Sequence, residues 1–594
     1  MNWIERISRD LTLFPYLFRM AGAVRGLSPD AAVTFADRFE DRVAQGADRI
    51  ALLQGERQLT YGELDRAANR FARWARSVGV GKGDVVALLI GNRPEMPIAW
   101  LGLAKIGAVS ALLNHNLRGK ALAHCVRVSG ARRVVVHTEF ADLWESAVPG
   151  LSDLPEVFAL EGRLEGASEL DGVLEAQSGE PLGLDVRANL RSSDDFLYIY
   201  TSGTTGFPKA ARISHLRGIT MSSGGMVALG LGPSDRMYIA LPLYHSAGGL
   251  MALGGTLLSG GSAVIAPKFS ARTFFSDCVR YEVTVFQYIG ELCRYLLASP
   301  EGADDRRHRI RGCIGNGLRP DVWEKFQARF GLPRIVEFYG ATEGNFVLVN
   351  YEGRVGAIGR APWLMRQALG MAVVRYDVDR DEPVRDNNGH CIACAPGEVG
   401  EAIGKISSVG RFEGYTDAEA SEKKILRNVF ADGDAYFRTR DLLRFDENDD
   451  FYFVDRIGDT FRWKGENVAT SEVAEALTGA PGVEDANVYG VEIPGQDGRA
   501  GMAALVVGGD FDAGALYRRA ADELPNYARP LFVRLRSEME TTGTFKHRKV
   551  DLVREGFDPH SIEDRILFRD DGVQSYVALD RETYEGILSG AIRV

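Results

Sequence analysis

Residues Tyr198–Lys209 read YIYTSGTTGFPK. The stretch opens as a strand, because Phe196–Tyr200 is β-branched and aromatic, and then breaks into Thr, Ser and Gly. Thr201, Ser202, Gly203, Thr204, Thr205 and Gly206 offer backbone N–H groups and hydroxyls to phosphate oxygens. Gly203 and Gly206 permit the close approach that such contacts need. Lys209 adds a point cation for phosphate charge. This is not a Walker loop, because Lys209 is neither preceded by Gly nor followed by Ser or Thr.

Short apolar runs alternate with helical patterns on both sides of this loop. Asp84–Ile90 (DVVALLI) reads as a buried strand, Pro97–Ile106 as a helix, and Ala108–Leu113 as a strand. Arg133–Val136 and Ala263–Ile265 repeat the strand pattern. Strand–helix alternation predicts parallel sheets covered by helices. From Met237 to Pro267 there is no Asp, Glu, Lys or Arg, which is long enough for a bilayer span. Pro242, His245 and Gly254-Gly255 break it, so it is expected to form a strand, a loop, a buried helix and another strand. Charges cluster at DENDD (446–450), and DRIGDTFRWKGEN follows, rich in Gly and charge. That composition suits a hinge between domains. Beyond it a helix is expected at Ser471–Leu477, strands at Glu484–Val491 and Ala503–Val507, and a helix from Ala513. The expected fold is α/β, with a large N-terminal domain of layered sheets with helices and a small mobile α/β C-terminal domain. The expected segments are an N-terminal helix within 1–28, a main domain at 29–455 and the small domain at 456–594.

The 594 residues exceed one ordinary core, and 45% apolar with 25% charged residues is the balance of a globular protein. A net charge of -11 argues against nucleic acid, which demands a concentrated basic face. Six cysteines are few for this length and suit a reducing, cytoplasmic setting. Cys391 and Cys394 form one CxxC, with only His390 nearby as a further ligand, short of a zinc set. No secretory signal is evident in residues 1–28, where Arg6, Arg9, Asp10, Arg19 and Arg25 interrupt the apolar stretch. Ile4, Ile7, Leu11, Phe14 and Phe18 recur at helical spacing between those charges. Two readings stay open: a helix packed on the domain body, or one lying peripherally on the inner face of the cell membrane.

The string TSGTTGFPK resembles the phosphate loop of the adenylate-forming superfamily, which includes acyl-CoA synthetases, firefly luciferase and nonribosomal adenylation domains. The resemblance continues in family order along nearly the whole chain. Tyr339-Gly340-Ala341-Thr342-Glu343 is similar to the segment whose Tyr packs on adenine, whose Thr meets the α-phosphate and whose Glu holds Mg²⁺. A single carboxylate plus waters is what a phosphate-bridging magnesium takes. By the same resemblance Gly315-Asn316-Gly317 lines the adenine pocket, and Asp441 accepts from the ribose hydroxyls. Arg456 contacts the ribose beside the hinge. Lys546, in TGTFKHRK, stabilises charge in adenylation, with Lys209. His245, in LPLYHSAGG, positions the substrate carboxylate, and Gly465 lines the pantetheine channel. The sequence departs from the family at Gly458, where most relatives carry Asp or Lys, and that puts the hinge geometry in doubt.

YIYTSGTTGFPKAA, GNGLRP, DTFRWKGENV and TGTFKHRKV resemble the fatty-acid transport protein and very-long-chain acyl-CoA synthetase branch. So does the tail at Ser575–Leu579. The resemblance implies that a long-chain fatty acid and ATP form an acyl-adenylate, which CoA converts to a thioester. Val285–Leu297 borders the acyl tunnel in that branch, although core packing explains the same pattern. Two other functions stay open. One is a fatty-acyl-AMP ligase serving a carrier protein, for which no surplus insertion is visible; the other is fatty-acid uptake by metabolic trapping. A homodimer is neither required nor excluded. His137–Asp142 matches the HxxxxD spacing of glycerolipid acyltransferases but is expected to be a strand end with Thr138 as a helix N-cap.

Overall fold

The computed structural model describes residues 3–594 apart from 202–206, 379, 409, 465, 495, 497, 541–548 and 593. Two compact units divide the chain, residues 1–362 with 406–425, and residues 363–405 with 426–594.

The first unit holds two large sheets. One runs in the order Ser168–Glu169, Glu156–Leu160, Arg133–His137, Val85–Leu89, Val109–Leu112, Asp195–Thr201 and Lys209–Ser214. It is parallel up to its last pair, where Asp195–Thr201 and Lys209–Ser214 are antiparallel. Both faces of this sheet are buried, so its strands read as continuous apolar runs. Val86 and Leu88 join one core with Trp100, Phe196 and Leu250. Their neighbours Ala87 and Leu89 join a second core with Leu122 and Trp144. This period-of-two division is what places a helical layer on each face.

The second sheet runs Leu348–Asn350, Ile335–Tyr339, Gly312–Asn316, Val285–Ile289, Arg236–Ile239, Ser262–Ile265, Ile50–Gln54 and Arg57–Thr60. From Ile335–Tyr339 to Ile50–Gln54 neighbouring strands are parallel. Leu52, Met237, Ala263, Val285 and Ile314 face the same core as Val86 and Phe196, so helices lie between the two sheets. Aromatic rings cover its other face, with Phe286 against Phe274 and Phe326 at centroid distances of 5.2 and 6.4 Å.

The uncharged stretch Met237–Pro267 folds as the sequence predicts. The strand Arg236–Ile239 leads through a loop into a buried π-helical segment, Ser246–Gly254, which continues as the helix Gly255–Ser259 and then the strand Ser262–Ile265. No helix among the described residues is long and apolar enough to cross a membrane.

Buried charge also shapes this unit. The Lys105 side chain is 1% exposed and meets Asp65 at 2.7 Å, and it also pairs with Glu40. Arg187 holds the same Glu40. Lys105→Met is expected to cost ~3 kcal/mol, the low end for breaking a buried pair, because Arg187 still compensates Glu40. Urea midpoints at constant slope would show it, and an unchanged midpoint would contradict it.

The helix Trp3–Ala23 packs on the unit rather than standing free. Tyr16 stacks on Tyr351 at 4.1 Å between ring centroids and takes a hydrogen bond from Arg334. Arg9 donates to Glu352 at 2.9 Å, and Arg360 pairs with Asp10. The opposite face keeps Leu11, Phe14, Leu17 and Phe18 exposed, at 58%, 60%, 44% and 83%. The helix thus packs on the domain body, as the first of the two sequence readings expects.

The lookalike at His137 differs in detail from expectation. Its Nδ1, and not Thr138, caps the following turn by accepting the Glu139 N–H, while Thr138 donates to the Glu161 carbonyl at 2.6 Å. His137 Nε2 meets Glu161 at 2.9 Å. The turn spans Thr138–Phe140, one residue earlier than expected, so His137 takes the cap position and Thr138 lies inside the turn.

In the second unit the strands Asp450–Arg456, Ala435–Phe445, Val399–Lys405, Met371–Asp377 and Glu382–Pro383 pair antiparallel in that order. A five-stranded sheet follows in the order Val483–Val491, Ala500–Val507, Phe532–Arg536, Arg565–Asp570 and Ser575–Ala578. The helices Thr470–Thr478 and Ala513–Glu523 share its core through Leu477, Leu516 and Leu505.

Candidate active site

The parallel strands Val285–Ile289, Gly312–Asn316 and Ile335–Tyr339 end on one side of their sheet. Ligands of open α/β sheets bind beyond such carboxyl ends. Gly315, Asn316, Gly317, Tyr339 and Gly340 all stand there, and Ala341-Thr342-Glu343 continues from the last strand. The sequence-predicted adenine and phosphate groups of this unit are thus gathered by topology.

Thr342 is fixed from two directions. Its hydroxyl lies 2.9 Å from Ser246 Oγ, and Arg217 Nε donates to its carbonyl at 3.0 Å. Burial lowers the Arg217 pKa, opposed by Glu413 and Glu343. His245 directly precedes Ser246, at the start of the π-helical segment, so the predicted carboxylate-positioning histidine sits one residue from a Thr342 partner.

Glu343 is buried, yet its carboxyl is held below the usual range. Burial pushes it up, and the Lys424 ammonium, the Tyr415 hydroxyl and Arg217 together pull it further down. Tyr415 donates to Glu343 Oε1 at 2.7 Å, and Lys424 Nζ lies 3.4 Å from the same oxygen. Glu343 therefore stays ionised at neutral pH and offers one hard oxygen donor, the share that a nucleotide-borne Mg²⁺ takes from a protein. The site fits that metal.

Tyr415 links this carboxylate to the phosphate loop. Lys209 Nζ lies 5.7 Å from the Tyr415 ring centroid, a cation–π distance. The segment around Tyr415 reaches this place by adding to the strand that carries Lys209, since Arg212 N–H donates to Gly414 O and Thr416 N–H to Ala210 O, both at 3.0 Å. Thr201 and Lys209 face each other across the hairpin of the loop. Ser202, Gly203, Thr204, Thr205 and Gly206 lie outside the described residues, as do Gly465 and Lys546.

In the second unit Asp441 and Arg456 are cross-strand partners, with Arg456 Nε 3.7 Å from Asp441 Oδ1. Gly458 has φ +101°, a conformation closed to most side chains, which accounts for glycine at the position where the sequence departs from the family it resembles. Asp455 is buried and accepts from the Thr470 N–H at 2.6 Å, and Lys549 Nζ donates to the Thr470 hydroxyl at 2.7 Å. Lys549 also lies 3.2 Å from Asp459. Residues 541–548, which include Lys546, are thus followed by a lysine anchored beside Arg456-Ile457-Gly458.

Sequence reasoning missed Arg217, Ser246, Tyr415 and Lys424. Ser246 adjoins a recognised residue, His245, while no local pattern marks Arg217. Tyr415 and Lys424 lie about 70 residues or more from Glu343 in the chain, and no local pattern couples them to it.

Comparison with known proteins gives the family. Residues 39–415 match the model of the AMP-binding enzymes, and residues 472–546 that of the AMP-binding enzyme C-terminal domain. Long-chain fatty acid transport protein 2 of Rattus norvegicus is 41% identical over 596 residues, covering 99% of this chain and 96% of its own. The chain belongs to the AMP-binding enzymes, among the long-chain fatty acid transport proteins. Long-chain fatty acid transport protein 6 of Mus musculus is 42% identical over 95% of this chain and 91% of its own. Among solved structures, the anthranilate CoA ligase AuaEII with anthranoyl-AMP superposes with a TM-score of 0.77 at 22% identity, covering 89% of this chain and 97% of that one. ATP-bound MatB of Rhodopseudomonas palustris gives 0.73 at 24% identity, over 88% and 99%. This AMP-binding enzyme is an ATP-dependent, AMP-forming acyl-CoA synthetase, and its substrates are an acid, ATP and CoA.

Proposed function

We propose that the acid is a long-chain or very-long-chain fatty acid and that the ends of the strands Gly312–Asn316 and Ile335–Tyr339 and the Lys209–Tyr415–Glu343 chain form the adenylation centre. The single observation that supports the site is Tyr415, which contacts both the phosphate-loop lysine and the ionised carboxylate. The acid class is supported by identity to long-chain fatty acid transport proteins through 99% of the chain.

A carboxylate is a poor electrophile until it carries a good leaving group. In the first step a carboxylate oxygen of the fatty acid attacks the α-phosphorus of ATP, and the bond to the β-phosphate oxygen breaks, releasing pyrophosphate. Lys209 and Lys546 offset the negative charge that builds on the phosphates. Thr342, held by Ser246 and Arg217, presents its hydroxyl to the α-phosphate, and His245 orients the acid. Glu343 would hold Mg²⁺, which neutralises phosphate charge when bound. By the family resemblance Tyr339 and Gly315-Asn316-Gly317 would take adenine; the same resemblance gives Asp441 and Arg456 to the ribose. In the second step the CoA thiolate attacks the acyl carbon and AMP leaves. Residues from 456 onward would rotate about Gly458 between the steps, bringing Gly465 to the pantetheine arm.

A panel of saturated acids from medium to very long, each at fixed ATP and CoA, tests the acid class. Highest kcat/KM for the long acids is expected, and highest kcat/KM for a short or aromatic acid would contradict it.

The helix Trp3–Ala23 supports peripheral docking on the cytoplasmic membrane face. Leu11, Phe14, Leu17 and Phe18 are exposed together, and Arg19 and Arg25 are exposed near its end. Apolar insertion plus basic charge is how an interfacial helix binds anionic lipid. Replacing the four apolar residues by Ser is expected to remove sedimentation with phosphatidylserine vesicles, and equal sedimentation of the variant would contradict it.

A further inference from the structure

The strand Ile335–Tyr339 carries one acid in an apolar run, Glu337, and the structure buries it completely among uncharged neighbours. Parallel registration aligns Tyr288, Gly315 and Glu337 across three neighbouring strands. Both carboxyl oxygens are engaged. Tyr288 Oη lies 2.5 Å from Oε2, and the Leu318 N–H donates to Oε1 at 3.1 Å. Tyr288 Oη also reaches the Val336 carbonyl at 3.3 Å, so a protonated Glu337 can donate to Tyr288 while Tyr288 donates onward. Burial pushes the carboxyl up to about 8, against the bonds from Tyr288 and Leu318, so it is neutral at pH 7.

The segment between these contacts is Gly315-Asn316-Gly317, and it has no slack. A Cβ at Gly315 would lie 2.4 Å from Tyr288 Cδ2, and one at Gly290 would lie 1.7 Å from Gly317 O. The loop is pressed on the Tyr288 ring and the Gly290 backbone, and Glu337 holds its far end through Leu318. Glu337 and Tyr339, two residues apart on one strand, project to the same face.

We propose that Glu337 is a positioning residue for nucleotide recognition, fixing the Gly315–Leu318 backbone against adenine from beneath the pocket. The inference rests on the reading that Gly315–Gly317 and Tyr339 form the adenine pocket. It adds that ATP affinity depends on a buried, protonated acid that never touches the nucleotide.

The expected signature is confined to ATP. Glu337→Leu and Tyr288→Phe should raise KM for ATP about tenfold, leaving KM for fatty acid and CoA within about twofold. Glu337→Gln should restore ATP binding, because its carbonyl accepts from Leu318 and its amide donates to Tyr288. In the native enzyme KM for ATP should rise above pH 8 as Glu337 ionises, and Glu337→Gln should flatten that rise. The other titratable groups that face Glu337 are Tyr288, Cys293 and Cys313, all pushed up by burial and uncharged in this range. Tyr339→Ala serves as the control for the pocket itself. If Tyr339→Ala weakens ATP while Tyr288→Phe and Glu337→Leu leave it unchanged, or weaken all three substrates in parallel, the inference is overturned. If none of the variants alters KM for ATP, the pocket reading falls first.

Discussion

Glu343→Gln will lower kcat/KM for acyl-CoA formation by roughly 10³-fold, about 4 kcal/mol of transition-state stabilisation. The amide keeps a carbonyl for the Tyr415 hydroxyl, so the fold around it should hold. What it loses is the charge that Lys424, Tyr415 and Arg217 keep ionised in a buried place. The Mg²⁺ concentration for half-maximal rate should rise with the loss of rate. Lys424, 3.4 Å from the native carboxylate, would then face a neutral group, which adds a modest loss of stability. Titrating Mg²⁺ at saturating ATP separates the two effects. A Gln variant with native rate and native Mg²⁺ dependence would remove Glu343 from the metal role.

Lys546→Ala will lose adenylate formation by ~10²–10³-fold and keep the second half-reaction within a few-fold. The separation follows from the two-step cycle, in which Lys546 meets the phosphates only during adenylation. Lys549 should hold the end of its segment in place in the variant, since its partners Thr470 and Asp459 are unaffected. Pyrophosphate exchange reports the first step. Synthetic acyl-adenylate mixed with CoA reports the second. Equal loss of both half-reactions would mean that Lys546 supports the small domain generally and has no specific part in charge stabilisation.

The strands were legible because a doubly buried parallel strand is a continuous apolar run, as at Asp84–Ile90 and Ala263–Ile265. The uncharged stretch Met237–Pro267 was legible from its glycine and proline breaks, although its π-helical turn was not, since period alone does not separate π from α over nine residues. The site was legible where its residues lie in short strings, as in Tyr339–Glu343 and Gly315–Gly317. Arg217, Tyr415 and Lys424 were not, because their roles depend on which distant segment the chain lays beside Glu343. Glu337 shows the remaining kind of difficulty. A single acid in a strand reads as an exposed position by alternation, and only the aligned Tyr288 and the Leu318 N–H reveal why it is buried. The cap at Thr138 failed for a local reason, since the turn begins one residue earlier and puts His137 at the cap position.

The opening string Tyr198–Lys209 carries the central claim, that the chain activates a fatty carboxylate as its adenylate and passes it to CoA. A single-turnover time course with labelled oleate, ATP, Mg²⁺ and CoA tests it most directly. Oleoyl-AMP should appear first with an equal amount of pyrophosphate, then decay as oleoyl-CoA and AMP form. Absence of oleoyl-CoA, or release of ADP and phosphate in place of AMP and pyrophosphate, would contradict it.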